Sequence, residues 1–187
     1  MFKIIANKKF LKFVFVFIAI YLFCYYGTLF ITGLAVPGGY YSPFVKKYFD
    51  IAAWLRTSII WGTKYVVSFF GTDTVRENEY VLRKVGGRGV RIVYACLGFA
   101  IMSFWVAYTV ASSAKIKVKL YWLFFGLFLL WVINVVRISL VLASANKAWR
   151  FPFGLDHHTW FNIIAYLSIF IMIYFYEKNI KNNTLET

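Results

Sequence analysis

Four long stretches of this chain are almost free of charge, and that limits what it can fold into. Phe13–Val36, Ile92–Ala114 and His157–Tyr176 contain no Asp, Glu, Lys or Arg, and Leu120–Asn146 contains only Arg137. A helix that crosses the ~30 Å hydrocarbon core of a bilayer needs roughly 20 mostly apolar residues. Each stretch is long enough. The composition agrees: 61% of the 187 residues are hydrophobic and 15% are charged, against about 45–50% and 25% in soluble domains. A water-soluble globular enzyme is excluded. Disordered and disulfide-scaffold classes are excluded by the apolar content and by a cysteine count of 2.

The expected fold class is therefore membrane all-α: four transmembrane helices, at about 13–36, 92–114, 120–145 and 157–176, in a single integral membrane domain over 1–187. The first stretch is too long for a signal-peptide core and lacks a small-residue cleavage site, so it is expected to remain as a span. Tyr121, Trp122, Trp149 and Tyr174–Tyr176 fall near the span ends, where an aromatic belt would sit.

A fifth apolar window, Ile51–Gly71, carries Arg56 and Lys64, eight residues apart and on roughly one side of a helix. Charges at mid-bilayer depth cost about 2.5–3.5 kcal/mol each on insertion scales. The window reads as an amphipathic helix at the outer interface; an ordinary fifth span is the alternative. The polar segment that follows holds Glu79–Val85 and Val90–Tyr94 around Gly86-Gly87-Arg88-Gly89, which predicts a short β-hairpin leading into the second span. The amphipathic helix and the hairpin together occupy about 50–94.

Lysines and arginines outnumber acids 21 to 7, and they flank the spans. That placement suits orientation and anionic lipid headgroups rather than nucleic acid. Lys3, Lys8, Lys9 and Lys12 precede the first span with no acid among them, which puts the N-terminus in the cytoplasm. The loop at Lys115–Lys119 and the C-terminal tail then lie inside as well, and 37–91 lies outside.

The informative residues are the polar ones that interrupt the apolar windows. Cys96 lies about one turn below the outer start of span two. Asn134 and Arg137 share a face in the outer half of span three. Asp156 comes just before His157 and His158, which open span four. All fall near one membrane boundary. Taken singly, each has an ordinary reading: a buried thiol such as Cys24, an interfacial histidine, an Arg137–Asp156 salt bridge, an interhelical Asn134 hydrogen bond. Taken together they suggest acyl transfer at a peptide bond. Cys96 would be the nucleophile, a histidine the general base and Arg137 the stabiliser of the transition-state oxyanion. A metal hydrolase on Asp156-His157-His158 is disfavoured, because adjacent helical histidines point about 100° apart. No cofactor or metal is expected. The non-enzymatic alternative is an integral assembly subunit in which Arg137 and Asn134 hold helices together.

At these residues the sequence resembles the exosortase/archaeosortase family of membrane-embedded cysteine transpeptidase-like enzymes, as a short, minimal-type member. The likeness lies in Cys96-Leu97-Gly98 after a β-like stretch, Asn134-Val135-Val136-Arg137 in the next span and a histidine opening the last. It covers about residues 45–176. It implies a thiol protease or transpeptidase of the cytoplasmic (inner) membrane, multi-pass, with its active site near the outer face. The substrates implied are proteins with a tripartite C-terminal sorting signal: a motif, a transmembrane helix and a basic tail. The partners are these substrates, membrane lipids and a lipid or glycan acceptor. Carried over, Cys96 is the nucleophile, Arg137 the transition-state stabiliser and His158 the base with His157 as alternative, supported by Asn134 and Asp156. Family members often show His-x-x-x-Gly-x-x-x-Phe at the third site. His158 keeps that spacing with Asn162 and Tyr166 in place of the later two residues.

Overall fold

The computed structural model describes residues 8–38, 40–147 and 157–185. Helix α1 (Lys8–Ala35) is followed by the short α2 (Pro43–Tyr48) and by α3 (Ile51–Phe69). Three short strands come next, β1 (Thr74–Arg76), β2 (Val81–Lys84) and β3 (Gly89–Arg91), then a single 3-10 turn at Tyr94–Cys96. Helices α4 (Phe99–Ala111), α5 (Ile116–Lys147) and α6 (His157–Leu185) complete the chain. Among the described residues, three helical segments are long and apolar enough to cross a membrane: Lys8–Ala35, Ile116–Asn146 and Asn162–Lys181.

The second expected span is not one helix. Ile92 still belongs to the sheet region, its N–H donating to the Tyr80 carbonyl at 2.7 Å, and α4 has only 13 residues. At 1.5 Å per residue that is about 20 Å, short of a bilayer core. An apolar run without charge does not reveal where strand gives way to helix. The expected two-strand unit is likewise shorter and larger at once. Its runs contract to β2 and β3, and β1, unforeseen in the sequence, adds a third antiparallel strand with Thr74 opposite Lys84. Gly86 takes the positive φ of the β2–β3 turn.

Helix α3 starts on Asp50, whose carboxylate accepts from the Ala53 N–H at 2.8 Å, as an N-cap should. Asp50 also accepts from Lys46 Nζ at 2.9 Å, and that hydrogen bond raises the Lys46 pKa above the usual lysine value. Arg56 and Lys64 do not share an environment. Arg56 is buried, with its guanidinium 4.2 Å from the Tyr80 ring centre, whereas Lys64 is exposed. Eight residues are 80° of helical rotation, enough to put one inside and the other outside.

The apolar interior has two parts. One joins α3, β2, the 92–99 segment and α5 through Ile59, Leu82, Ile92, Leu97, Val135 and Ile138. The other joins α4, α5 and α6 through Trp105, Leu130, Ile169, Met172 and Tyr176. Two residues expected in an aromatic belt, Trp122 and Tyr176, face this second part and pack ring to ring at 5.9 Å, while Tyr121 and Tyr174 are exposed; Trp149 lies outside the described residues. The helices align by their contacts. Phe13 meets Tyr108, Lys119 Nζ donates to the Val110 carbonyl and Tyr108 donates to Glu177, all at one end of the bundle. At the other end, the Thr28 and Tyr94 hydroxyls share a hydrogen bond.

Gly62 sets the α3–α5 approach. A Cβ there would lie 2.8 Å from Val135 Cγ2 and 3.0 Å from the Trp131 ring, and Trp131 donates its indole N–H to the Ser58 hydroxyl at 3.1 Å beside it. Replacing Gly62 with Leu should therefore force the helices apart, costing about 1–3 kcal/mol by overpacking. The expected outcome is a clear drop in melting temperature of the detergent-solubilised protein, while Gly27→Leu, a position with nothing within 4 Å, leaves it near the wild-type value.

Candidate active site

The segment from Ile92 to Gly98 carries the chain from the sheet into the helical bundle. Val93 is extended, and the 3-10 turn closes through Cys96 N–H to the Val93 carbonyl at 2.8 Å and Leu97 N–H to the Tyr94 carbonyl at 3.0 Å. Gly98 then takes a left-handed conformation, φ +76°, and α4 starts at Phe99. A residue with a Cβ would be strained there. The turn is pinned on two sides. Tyr94 stacks on Phe99 at 5.1 Å, and its hydroxyl reaches Thr28 on α1.

Cys96 is thereby buried against α5, at 8% exposure, and its thiol is free. Asn134 is 1% exposed and donates its side-chain N–H to the Cys96 carbonyl oxygen at 3.0 Å. Arg137, one turn further along α5 and also buried, lies within electrostatic range of the Cys96 sulfur. The structure thus brings together three of the residues singled out in the sequence, from two elements 38 or more residues apart. An arginine buried at such a position interacts through a low dielectric, where a charge acts more strongly on a developing oxyanion than it does in water.

The other members are placed as follows. His157 and His158 are the first two residues of α6. That helix passes the site at Ala165, which is fully buried and lines a small space together with Gly98 and Asn134. Position 158 is seven residues before Ala165, two turns away on the same face, whereas position 157 is turned about 80° from it. Asp156 lies outside the described residues, and with it the expected Arg137–Asp156 pair. Cys24 sits half-buried in the middle of α1.

Sequence reasoning missed Arg56. Its charge inside an apolar window reads as a mark of the interface, yet the side chain is buried and stacked on Tyr80 beside the same apolar cluster that holds Cys96. No local signal could have found this, because the ring it meets is 24 positions away and reaches it only through the sheet. Among the described residues no group of three or more His, Cys, Asp or Glu side chains could hold a metal ion.

Asn134 gives the site a direct structural test. In Asn134→Leu the Cys96 carbonyl keeps its burial and loses its donor. Leaving such a group unsatisfied costs about 1–3 kcal/mol, so the variant should melt at a lower temperature than wild type in the same detergent. A change of the same size is not expected for Leu at exposed Val136, two positions along.

No family model, curated protein or solved structure matches this chain.

Proposed function

We propose that this chain is an exosortase-like cysteine peptidase or transpeptidase of the cytoplasmic membrane. It processes C-terminal protein-sorting signals at the outer face and passes the cleaved protein to a lipid or glycan surface acceptor. The observation that carries this reading is the meeting of Cys96, Asn134 and Arg137 where α4 begins against α5.

The topology proposed with it has four crossings, with α4 and the 92–98 segment completing the second. The lysines support its orientation. Lys8, Lys9 and Lys12 on α1, Lys115, Lys117 and Lys119 before and in α5, and Lys178 and Lys181 on α6 belong to the helix ends that gather around Tyr108, Val110 and Glu177. Basic residues near span ends favour the cytoplasmic side. Cys96 then lies toward the outer face, with α3 packed alongside α5 at its level and the β2–β3 turn beyond it at the far end of α5.

In the proposed chemistry the histidine takes the Cys96 thiol proton, and the resulting thiolate attacks the carbonyl carbon of the scissile peptide bond. The C–S bond forms as the carbonyl electron pair moves to oxygen, and the Arg137 guanidinium stabilises that oxyanion. Collapse of the tetrahedral species breaks the C–N bond. The leaving amine takes a proton from the histidine, His158 in the preferred assignment and His157 in the alternative. A thioester on Cys96 remains. Water, or a nucleophilic group of the acceptor, gives a proton back to the histidine and attacks the thioester, regenerating the thiolate. Asn134 has a positioning role: its bond to the Cys96 carbonyl fixes the backbone from which the thiol projects.

A second reading, a non-catalytic membrane subunit, is favoured by that same bond, because Asn134 holds the Cys96 backbone whatever the thiol does. Co-expression with a tagged substrate bearing a motif, a transmembrane helix and a basic tail separates the two. Removal of the tail should be abolished in Cys96→Ser and reduced about 10²–10³-fold in Arg137→Ala, the scale of losing one oxyanion donor. It should be lost in His158→Ala and partly reduced in Asp156→Asn. Unchanged processing by a well-expressed Cys96→Ala protein would leave the subunit reading in its place.

A further inference from the structure

A groove of about 470 Å³ opens between α3 and α5 beneath β2, lined by Val66, Phe70, Val136 and Leu140, with Lys84 and Asn146 among its polar members. None of them is among the polar residues gathered at Cys96, and Val66 packs against the edge of the apolar cluster that holds Cys96. Along α5 the groove runs from position 136 to 146, roughly 15 Å at 1.5 Å per residue, a length that one extended chain can fill.

The walls decide which kind of chain. An extended peptide in apolar surroundings needs a partner for every N–H and C=O. Val66, Phe70, Val136 and Leu140 offer only hydrocarbon. The polar lining groups on α5 are already engaged: Ser139 donates to the Val135 carbonyl at 2.8 Å, and Asn146 clamps Arg88 N–H and C=O at 2.7 and 3.1 Å. A hydrocarbon tail needs no such partners. Lys84, by contrast, forms none of the ion pairs among the described residues, while its neighbour Arg83 is bonded to Glu77. The outer side of α3 adds an independent sign. Trp54, Trp61, Tyr65 and Phe69, at steps of seven, four and four residues, form an exposed aromatic stripe, the type of surface that settles at headgroup level.

We infer that this groove binds one anionic phospholipid, with an acyl chain between α3 and α5 and its phosphate against Lys84. The site does not depend on Cys96 acting as a nucleophile. Native mass spectrometry of the full chain, released from micelles doped with phosphatidylglycerol or phosphatidylcholine, tests it. Wild type should keep one phosphatidylglycerol in preference to phosphatidylcholine. Lys84→Gln should lower that retention at least about fivefold, the affinity one lysine contributes at an anionic surface, and Ala143→Phe, which adds a ring at a lining position of the groove on α5, should abolish retention of both lipids. Lys115→Glu, at the opposite end of the bundle, should change nothing. Wild-type retention in both Lys84→Gln and Ala143→Phe overturns the site, and equal retention of the two lipids overturns the headgroup assignment. A wild-type dimer that Ala143→Phe dissolves would give the groove to a second copy of the chain and overturn it as well. Lys84 is partly exposed, so its variant reads the site even where Ala143→Phe fails to fold.

Discussion

A backbone that leaves a sheet and enters a helix within an apolar interior has polar groups that water cannot reach, and each needs a protein partner. In this chain that constraint falls on residues 92–98. The 3-10 turn satisfies the N–H groups of Cys96 and Leu97, and the Asn134 amide satisfies the Cys96 carbonyl. Gly98 then turns the chain into α4 through a left-handed conformation. The position of the thiol follows from this solution. It stands where irregular backbone is held against α5 by that helix's own Asn134 side chain.

Helix α3 and the sheet hold α5 in register with that segment. Gly62 and Trp131 bring α3 close. The β2–β3 turn is fastened to the far end of α5 by Asn146, which both donates to and accepts from the Arg88 backbone. The sheet therefore spans from the end of α5 down to Ile92 and fixes the height at which Cys96 meets Asn134. The second part of the interior, built on Trp105 and Tyr176, packs α4 and α6 against the other half of α5. Gly126 leaves room there for the Trp105 indole, which donates to the Trp122 carbonyl at 3.0 Å. The Cys96–Asn134 pair sits where the two halves meet, so packing errors in either would displace it.

The polar residues of the site were legible because a membrane penalises them. Arg137 and Asn134 stand out in an apolar run, since such residues persist at that depth only with partners or chemistry. The element boundaries were less legible. From Ile92 to Ala114 the chain is uniformly apolar, and nothing in that composition separates the end of the sheet, a 3-10 turn and a 13-residue helix. Arg56 shows the converse difficulty: a charge in an apolar window has the same appearance whether it faces headgroups or stacks on a buried ring.

By itself the sequence determined that the chain holds helices long and apolar enough to cross a membrane, at three of the four expected places, and which few polar residues interrupt its apolar stretches. These properties follow from local composition and from the ~30 Å thickness of the hydrocarbon core. Only the tertiary structure decided that Cys96 and Asn134 are joined by a hydrogen bond, that Arg56 turns inward, that β1 joins the sheet, and that α3 and α5 leave a narrow groove between them. Each of these depends on contacts between residues far apart in the chain. Local periodicity says which face of a helix is apolar, but not which neighbour covers it.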